Sequence, residues 1–191
     1  LMDNYEPTWT TRKIQDFVVD NLSNWYVRLS RRRFWKGEYT EEKIAAYQTI
    51  YYCLETIAHL IAPFAPFYAE RLFQDLNSVS GRIHQESVHL SYYPAYQAEW
   101  VDKPLEGRMG MAQEITTQAL SLRKREDVRV RQPLNRIILA TADDTALEQV
   151  KAVEDLIKSE VNIKAIDYMA DTSDIVVKSA KPNFKKLGPK Y

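Results

Sequence analysis

The stretch FVVDNLSNWYVRLSRRRFW, residues 17–35, contains the pattern that decides the N-terminal part of the fold. Apolar side chains recur there at helical spacing, and the recurrence extends upstream, so one helix is expected over about residues 11–35. Thr10 or Thr11 is expected to provide the N-cap, and Gly37 is expected to end the helix. The expected buried stripe consists of Ile14, Phe17, Val18, Leu22, Trp25 and Leu29.

A second helix is expected to begin after Thr40, because Glu41 and Glu42 suit the positive end of the helix dipole. Lys43 stands where a capping box would have Glu or Gln, so no capping box is predicted. The segment APFAP, residues 62–66, should end this helix. Proline lacks a donor N–H and disfavours a helical conformation in the residue before it.

Two further helices complete a predicted four-helix bundle. The third starts at Pro66, which suits the first turn of a helix, and runs to about Asn77. Residues 78–103 are expected to be irregular, and a fourth helix is expected over about residues 104–127. This helix should bury Met109, Ala112, Ile115, Ala119 and Leu122.

The pattern of apolar residues changes after Pro133. It predicts a strand over residues 135–141, an amphipathic helix over 143–161, and two more strands over 162–169 and 174–180. The predicted fold class is therefore mainly α. It consists of a helical bundle in residues 1–131 and a small α+β module of three strands and one helix in residues 132–191.

Composition favours an intracellular protein. A single cysteine, Cys53, excludes an internal disulfide and favours a reducing compartment, so a cytoplasmic location is expected. The most apolar window, residues 49–68, contains Glu55 and two prolines and is interpreted as a core helix and a break, not a membrane span. The N-terminal residues lack the regions of a signal peptide and an obvious native start, so the chain is expected to be a piece of a longer protein.

Charge is segregated along a chain whose 26 Lys and Arg residues balance its 26 Asp and Glu residues. Residues 28–36 contain five basic side chains and no acid, and residues 178–191 contain five lysines and no acid. Residues 123–131 contain five basic and two acidic side chains. Such segregation favours an anionic partner.

The sequence contains no recognisable set of catalytic residues. Cys53 and the scattered histidines His59, His84 and His89 do not have the spacing of a metal site. The two common phosphate-binding glycine motifs do not occur either. No catalytic residue and no metal ligand is therefore predicted.

At about 100° per residue, Arg28, Arg31, Arg32 and Trp35 share one face near the end of the first predicted helix. Guanidinium groups pair with phosphates and stack on bases, and an exposed indole adds a stacking platform worth about 1–3 kcal/mol per base. The same arginines would also suit a solvated face, because cations near a helix C-terminus are favourable for dipole reasons alone. Spacing and composition leave both interpretations open.

Several long motifs resemble those of one family, the class I isoleucyl-tRNA synthetases. Residues 17–35 closely resemble the first helix of the family's anticodon-binding domain, and residues 61–76, IAPFAPFYAERLFQDL, resemble its proline-broken helix pair. The segments SVHLSYYP, RVRQPLNRIIL, SEVNIKAI and KPNFKKLGPKY resemble the loop, the junction, and the strands and tail that follow in that family. Valyl- and leucyl-tRNA synthetases share the architecture and are the alternatives within this group.

The resemblance implies a C-terminal anticodon-binding fragment of an enzyme that attaches isoleucine to its tRNA with ATP and Mg. The H-x-G-H and K-M-S-K-S motifs of the family's catalytic domain do not occur in the sequence, and neither does a counterpart of its editing domain. The fragment alone is therefore expected to be inactive and to hold no cofactor. Its expected partners are the anticodon stem-loop of isoleucine tRNA and the catalytic domain of the same polypeptide.

The basic segments then provide two groups of candidate RNA-binding residues. The first group comprises Arg28, Arg31, Arg32, Arg33, Trp35 and Lys36, and the second comprises Arg123, Lys124, Arg129, Arg131, Lys185 and Lys186. Two other classes of function stay open from the residues alone. One is a helical scaffold that docks a protein partner through the arginine and aromatic side chains, and the other is a freestanding RNA-binding module.

Overall fold

A computed structural model describes residues 6–140 and 144–169. It divides into two compact units, and the division falls after Ala98. A mainly α fold with a small α+β module is confirmed. The compact units divide earlier than the predicted module boundary after residue 131, because the long helix that follows Ala98 packs on a helix of the small module. The module boundary itself stays a prediction, and the strand predicted over residues 174–180 lies outside the described residues.

The first unit begins with a continuous helical stretch. It consists of α1 (Pro7–Asp16), a π-helical segment (Phe17–Val27) and α2 (Arg28–Trp35). The start differs from the prediction, because Pro7 occupies the first turn, where its missing N–H costs no hydrogen bond. Thr10 and Thr11 lie inside the helix, and their hydroxyls donate to carbonyl oxygens one turn earlier instead of capping it.

Fewer residues of this helical stretch are buried than the predicted stripe contains. Only Leu22 and Ser30 are buried, whereas Trp25 is half-buried and Phe17 is exposed. A π-helix turns less per residue than an α-helix, so apolar side chains at α-helical spacing drift around its axis. The π-helical segment therefore prevents one continuous apolar face from forming.

Two further helices complete the first unit, α3 (Glu41–Ile61) and α4 (Pro66–Ser80). Both starts agree with the prediction, since the Thr40 side chain accepts a hydrogen bond from the backbone N–H of Lys43 and Pro66 lies in the first turn of α4. A buried cluster joins the two helices to the loop that follows them. Its members are Ala58, Ala62, Ala69, Phe73 and Val88.

The second unit contains α5 (Lys103–Arg125), β1 (Leu134–Ala140), α6 (Asp144–Lys151), α7 (Glu154–Val161) and β2 (Ile163–Met169). The two strands pair in parallel, which requires a crossover connection, and α6 and α7 provide it. The single helix predicted over residues 143–161 is therefore wrong, because the chain leaves the helical path between Lys151 and Glu154.

The buried face of α5 also differs from the predicted stripe. Ala112 and Ala119 are buried as predicted, but Thr116 and Arg123 complete the face, and Leu122 is 48% exposed. The positions 112, 116, 119 and 123 follow helical spacing. An assignment based on apolar residues alone places Leu122 on this face because it disregards Arg123, whose two terminal guanidinium nitrogens donate to backbone carbonyl oxygens.

Candidate nucleic-acid interface

The α-helical geometry of α2 confirms that Arg28, Arg31, Arg32 and Trp35 share a face. Arg28, Arg31, Arg32 and Trp35 are all exposed, while Ser30 and Phe34 on the opposite side are buried or half-buried. Trp35 is 81% exposed, which leaves its indole accessible to a planar ligand. The side chains of Arg33 and Lys36, which complete the first candidate group, are exposed as well.

Hydrogen bonds from α3 hold the last turns of this basic helix in place. The Tyr47 hydroxyl donates to the carbonyl oxygen of Phe34 at 2.9 Å, and the two ring centroids lie 5.1 Å apart. A second hydrogen bond joins the preceding π-helical segment to α3, where the Tyr26 hydroxyl donates to the carbonyl oxygen of Ala46 at 3.2 Å. α2 is thereby fixed on α3, and Arg28, Arg31 and Arg32 stay exposed.

The connection between α2 and α3 is short and sharply turned. Lys36 is extended, and its N–H donates to the carbonyl oxygen of Arg32 at 3.1 Å. Gly37 follows with φ +83°, a left-handed conformation that glycine adopts without steric cost, and Thr40 then caps α3. The turn brings the end of α2 next to the start of α3.

An open depression of about 280 Å³ lies at this turn. Four cationic and two acidic side chains line it: Arg32, Arg33, Lys36 and Lys43, with Glu38 and Glu42. We call it the connector groove. One acid is already paired, because the Arg33 guanidinium lies 2.9 Å from the Glu42 carboxylate. The groove therefore keeps a net positive charge, because Arg32, Lys36 and Lys43 outnumber the remaining acid, Glu38.

The arginines of the basic face differ in their partners. Arg33 is paired with Glu42, and Arg28 also has a partner within the chain. Among the described residues, the guanidinium groups of Arg31 and Arg32 form no ion pair or hydrogen bond. Arg31 and Arg32 are thus the two arginines whose donors are available for a ligand without breaking an existing contact.

The second candidate group does not form one surface. Arg123 is only 4% exposed, and its guanidinium donates to the carbonyl oxygens of Arg129, Gln132 and Asn162 at 3.2, 3.0 and 3.0 Å. These bonds occupy Arg123 inside the second unit, so it is a structural residue and not an accessible RNA ligand. The exposed members are Lys124, Arg129 and Arg131, while Lys185 and Lys186 lie outside the described residues.

Two residues of this region, Tyr39 and Lys43, lie outside the basic segment 28–36 and were not among the predicted candidates. The Lys43 ammonium lies 4.7 Å from the centroid of the Tyr39 ring, and Tyr39 is 78% exposed. Lys43 itself is only 8% exposed although it is charged. Its position in the first turn of α3, where an acidic residue would be favoured, is the feature of the sequence that could have identified it.

Within the described ranges, no group of three or more His, Cys, Asp or Glu side chains could hold a metal ion. No helix in the same ranges is long and apolar enough to cross a bilayer. Burial raises the pKa of the Cys53 thiol, which disfavours the reactive thiolate. The exposed basic face and the connector groove therefore remain the main candidate site of the first unit.

Residues 1–139 match the family model described as the anticodon-binding domain of tRNA ligase. The chain belongs to this family. The resemblance of its motifs to a synthetase anticodon-binding domain is thereby confirmed. The basic face of α2 and the connector groove both lie within the matched residues.

This anticodon-binding domain is similar to parts of larger proteins named isoleucine–tRNA ligase. It is 57% identical to the protein from Cytophaga hutchinsonii over 188 residues, which are 98% of this chain and 17% of that protein. It is 51% identical to the protein from Bacteroides thetaiotaomicron over 189 residues, 99% of this chain and 16% of that protein. The chain thus spans about a sixth of the length of these curated relatives.

Proposed function

We propose that this anticodon-binding domain binds the anticodon stem-loop of isoleucine tRNA, as the tRNA-binding part of an isoleucine–tRNA ligase. The observation that carries the proposal is the face of α2, where the guanidinium groups of Arg31 and Arg32 have no partner among the described residues and the adjacent Trp35 is 81% exposed. Phosphate contacts from arginines position an RNA, and an aromatic side chain stacks on an unpaired base of its loop.

The identity of the amino acid comes from the relatives. Proteins named isoleucine–tRNA ligase match nearly the whole chain at up to 57% identity, which supports isoleucine over valine or leucine. In this proposal the complete protein attaches isoleucine to tRNA in the cytoplasm, using ATP and Mg bound by a catalytic domain of the same polypeptide. The 191-residue chain alone should then catalyse no isoleucine-dependent exchange of pyrophosphate into ATP.

Binding is tested by fluorescence-anisotropy titration of the chain with an anticodon stem-loop for isoleucine and with a loop whose anticodon is scrambled. Arg32→Glu and Trp35→Ala should each weaken binding at least tenfold, since they remove a phosphate contact and a stacking platform. Arg12→Glu and Trp9→Ala are matched controls, because both residues are exposed on α1 of the same helical stretch, and both variants should bind like the parent.

Each outcome has a definite meaning. Preference for the cognate loop would support anticodon reading, whereas equal affinity for both loops would reduce the function to electrostatic binding of RNA. Equal losses in the α2 variants and the α1 controls would place the interface elsewhere. Absence of binding to either hairpin, with tight binding of an acidic protein, would favour the helical docking scaffold.

A further inference from the structure

Lys43 is a buried cation for which the described part of the chain provides no anionic partner. It is 8% exposed, and its ammonium donates to the backbone carbonyl oxygen of Gly37 at 3.3 Å. Its other near contact is the face of the Tyr39 ring, and no described carboxylate pairs with it. Burying a charge is costly unless it is paired, so the free protein keeps an ammonium whose charge is not compensated.

The position of Lys43 on α3 increases this cost. It is the third residue of the helix, within the turn whose free N–H groups carry the positive end of the helix dipole. Acidic residues are favoured at such positions and cations are disfavoured. The Thr40 hydroxyl caps only the N–H of Lys43 itself, so an anion near this turn would be attracted by both the ammonium and the dipole.

Further cations surround the same point. Lys43 lines the connector groove together with Arg32 and Lys36; of the two acids there, Glu42 is neutralised by Arg33, and the three cations outnumber Glu38. The volume of the groove, about 280 Å³, is sufficient for a phosphate group with part of its sugar. Arg32 belongs both to this groove and to the exposed face that ends in Trp35. A ligand that contacts Arg32 on the face therefore also reaches the edge of the groove.

We propose that the connector groove binds one backbone phosphate of the RNA, with Lys43 as its buried anchor and Arg32 and Lys36 as its outer ligands. This inference rests on the proposed function, because it assigns one contact of the same RNA. The phosphate supplies the missing counter-charge of Lys43. It also fixes the register in which the next nucleotide meets Trp35, as phosphate contacts position a ligand that bases then specify.

The test uses isoleucine anticodon hairpins in which a single backbone phosphate is replaced by an uncharged methylphosphonate, at each loop position in turn. The parent chain should lose affinity about tenfold at one linkage, the range expected for a charge-assisted hydrogen bond. Lys43→Met should bind the unmodified hairpin more weakly and should be insensitive at that linkage. Lys13→Met removes an exposed lysine of α1 and should behave as the parent does.

The salt dependence of binding is a second measurement. If Lys43 had a purely structural role, Lys43→Met would not change it. The slope of log affinity against log salt should be shallower by about 0.7–0.9 in Lys43→Met, corresponding to one phosphate contact. Inorganic phosphate added at constant ionic strength should not displace the hairpin, because it lacks the neighbouring contacts. Displacement by inorganic phosphate would make the groove a site for free anions and would overturn its assignment to RNA.

Two results would overturn the inference while leaving the proposed function intact. In the first, the parent chain binds the hairpin but loses the same affinity at every methylphosphonate position. In the second, Lys43→Met loses as much affinity as the parent at the sensitive linkage. If Lys43→Met does not fold, as judged by circular dichroism, the parent scan and the exposed Lys36→Gln variant decide the question. A parent chain that binds no hairpin at all would overturn both proposals.

Discussion

The hydroxyl of Tyr47 donates a hydrogen bond to the backbone carbonyl oxygen of Phe34 at 2.9 Å, while the two rings pack 5.1 Å apart. The accepting carbonyl belongs to the last turn of α2, where α-helical carbonyls have no partner within their own helix. One side chain of α3 thus satisfies the end of the helix that presents Arg31 and Arg32. Positioning Arg31 and Arg32 and capping α2 are achieved by the same contact.

Tyr47→Phe should therefore reduce the stability of the first unit by about 0.5–1.5 kcal/mol while keeping the ring packing. The measurement is urea unfolding followed by circular dichroism. Tyr68→Phe is a matched control, since the Tyr68 hydroxyl forms no hydrogen bond with any described residue. Equal changes in the two variants would show that the Tyr47–Phe34 bond contributes nothing of its own.

Glu42→Gln should strengthen RNA binding, because it releases Arg33 from the 2.9 Å ion pair and removes a negative charge from the connector groove. The slope of log affinity against log salt should steepen by up to about 0.7–0.9, equivalent to one phosphate contact. Glu41→Gln removes the same charge one residue earlier and provides the control. The prediction fails if both variants change affinity equally. Stability should change by less than about 1 kcal/mol, as for exposed pairs.

Arg123→Met should destabilise the second unit by at least about 3 kcal/mol, since three carbonyl oxygens lose a charged donor that is 4% exposed. Arg125→Met, two residues later on α5, removes an exposed arginine that pairs with Glu126 and should cost less than about 0.5 kcal/mol. Urea unfolding of both variants tests the difference. If the folded Arg123→Met variant binds the hairpin more weakly than the parent chain, Arg123 would have to be counted among the RNA-binding residues.

Burial raises the pKa of Tyr168 to about 12, and its hydrogen bond to Glu154 at 3.0 Å adds to the shift. The folded protein thus favours the neutral phenol. Its contribution to stability is complete below the ordinary value of about 10 and is lost as the pH rises towards 12. Carbon-13 NMR of labelled tyrosines should show a lower pKa in Glu154→Gln and no change in Glu148→Gln. Titration of Tyr168 near 10 in the parent would refute the assignment.

The loop after α4 is held by Glu70, whose carboxylate accepts hydrogen bonds from the Ser87 hydroxyl and the Val88 N–H at 2.8 and 3.0 Å. The hydrogen bond from Gln74 is the largest cause that lowers the pKa of Glu70, those from Ser87 and Val88 add to it, and burial opposes them. This stabilisation is present above the ordinary pKa of a glutamate and is lost as the pH falls through the lowered value.

Ser87→Ala should raise the pKa of Glu70 towards its ordinary value, as followed by NMR titration of the side-chain carboxyl carbon. Ser78→Ala is the control, because the Ser78 hydroxyl donates to the carbonyl oxygen of Asp75 and not to Glu70. A Glu70 that titrates identically in the parent and in Ser87→Ala would exclude the loop contact.

Much of the fold follows from local chemistry. Thr40, Pro66 and Gly37 mark two helix starts and one helix end correctly, because capping, the missing proline N–H and left-handed backbone geometry act within a few residues. The shared face of Arg31, Arg32 and Trp35 was predictable for the same reason, since it depends only on the period of α2.

Only the tertiary structure decided which Lys and Arg side chains are paired, buried or accessible. The sequence places Arg31, Arg32, Arg33, Lys43 and Arg123 on helices without distinguishing them. The fold leaves the exposed Arg31 and Arg32 without a described partner, pairs the exposed Arg33 with Glu42, and buries Lys43 and Arg123. Partners such as Glu42 and the carbonyl oxygen of Asn162 approach from other elements of the same unit. An ionic contact depends on distance and desolvation, and helical periodicity determines neither.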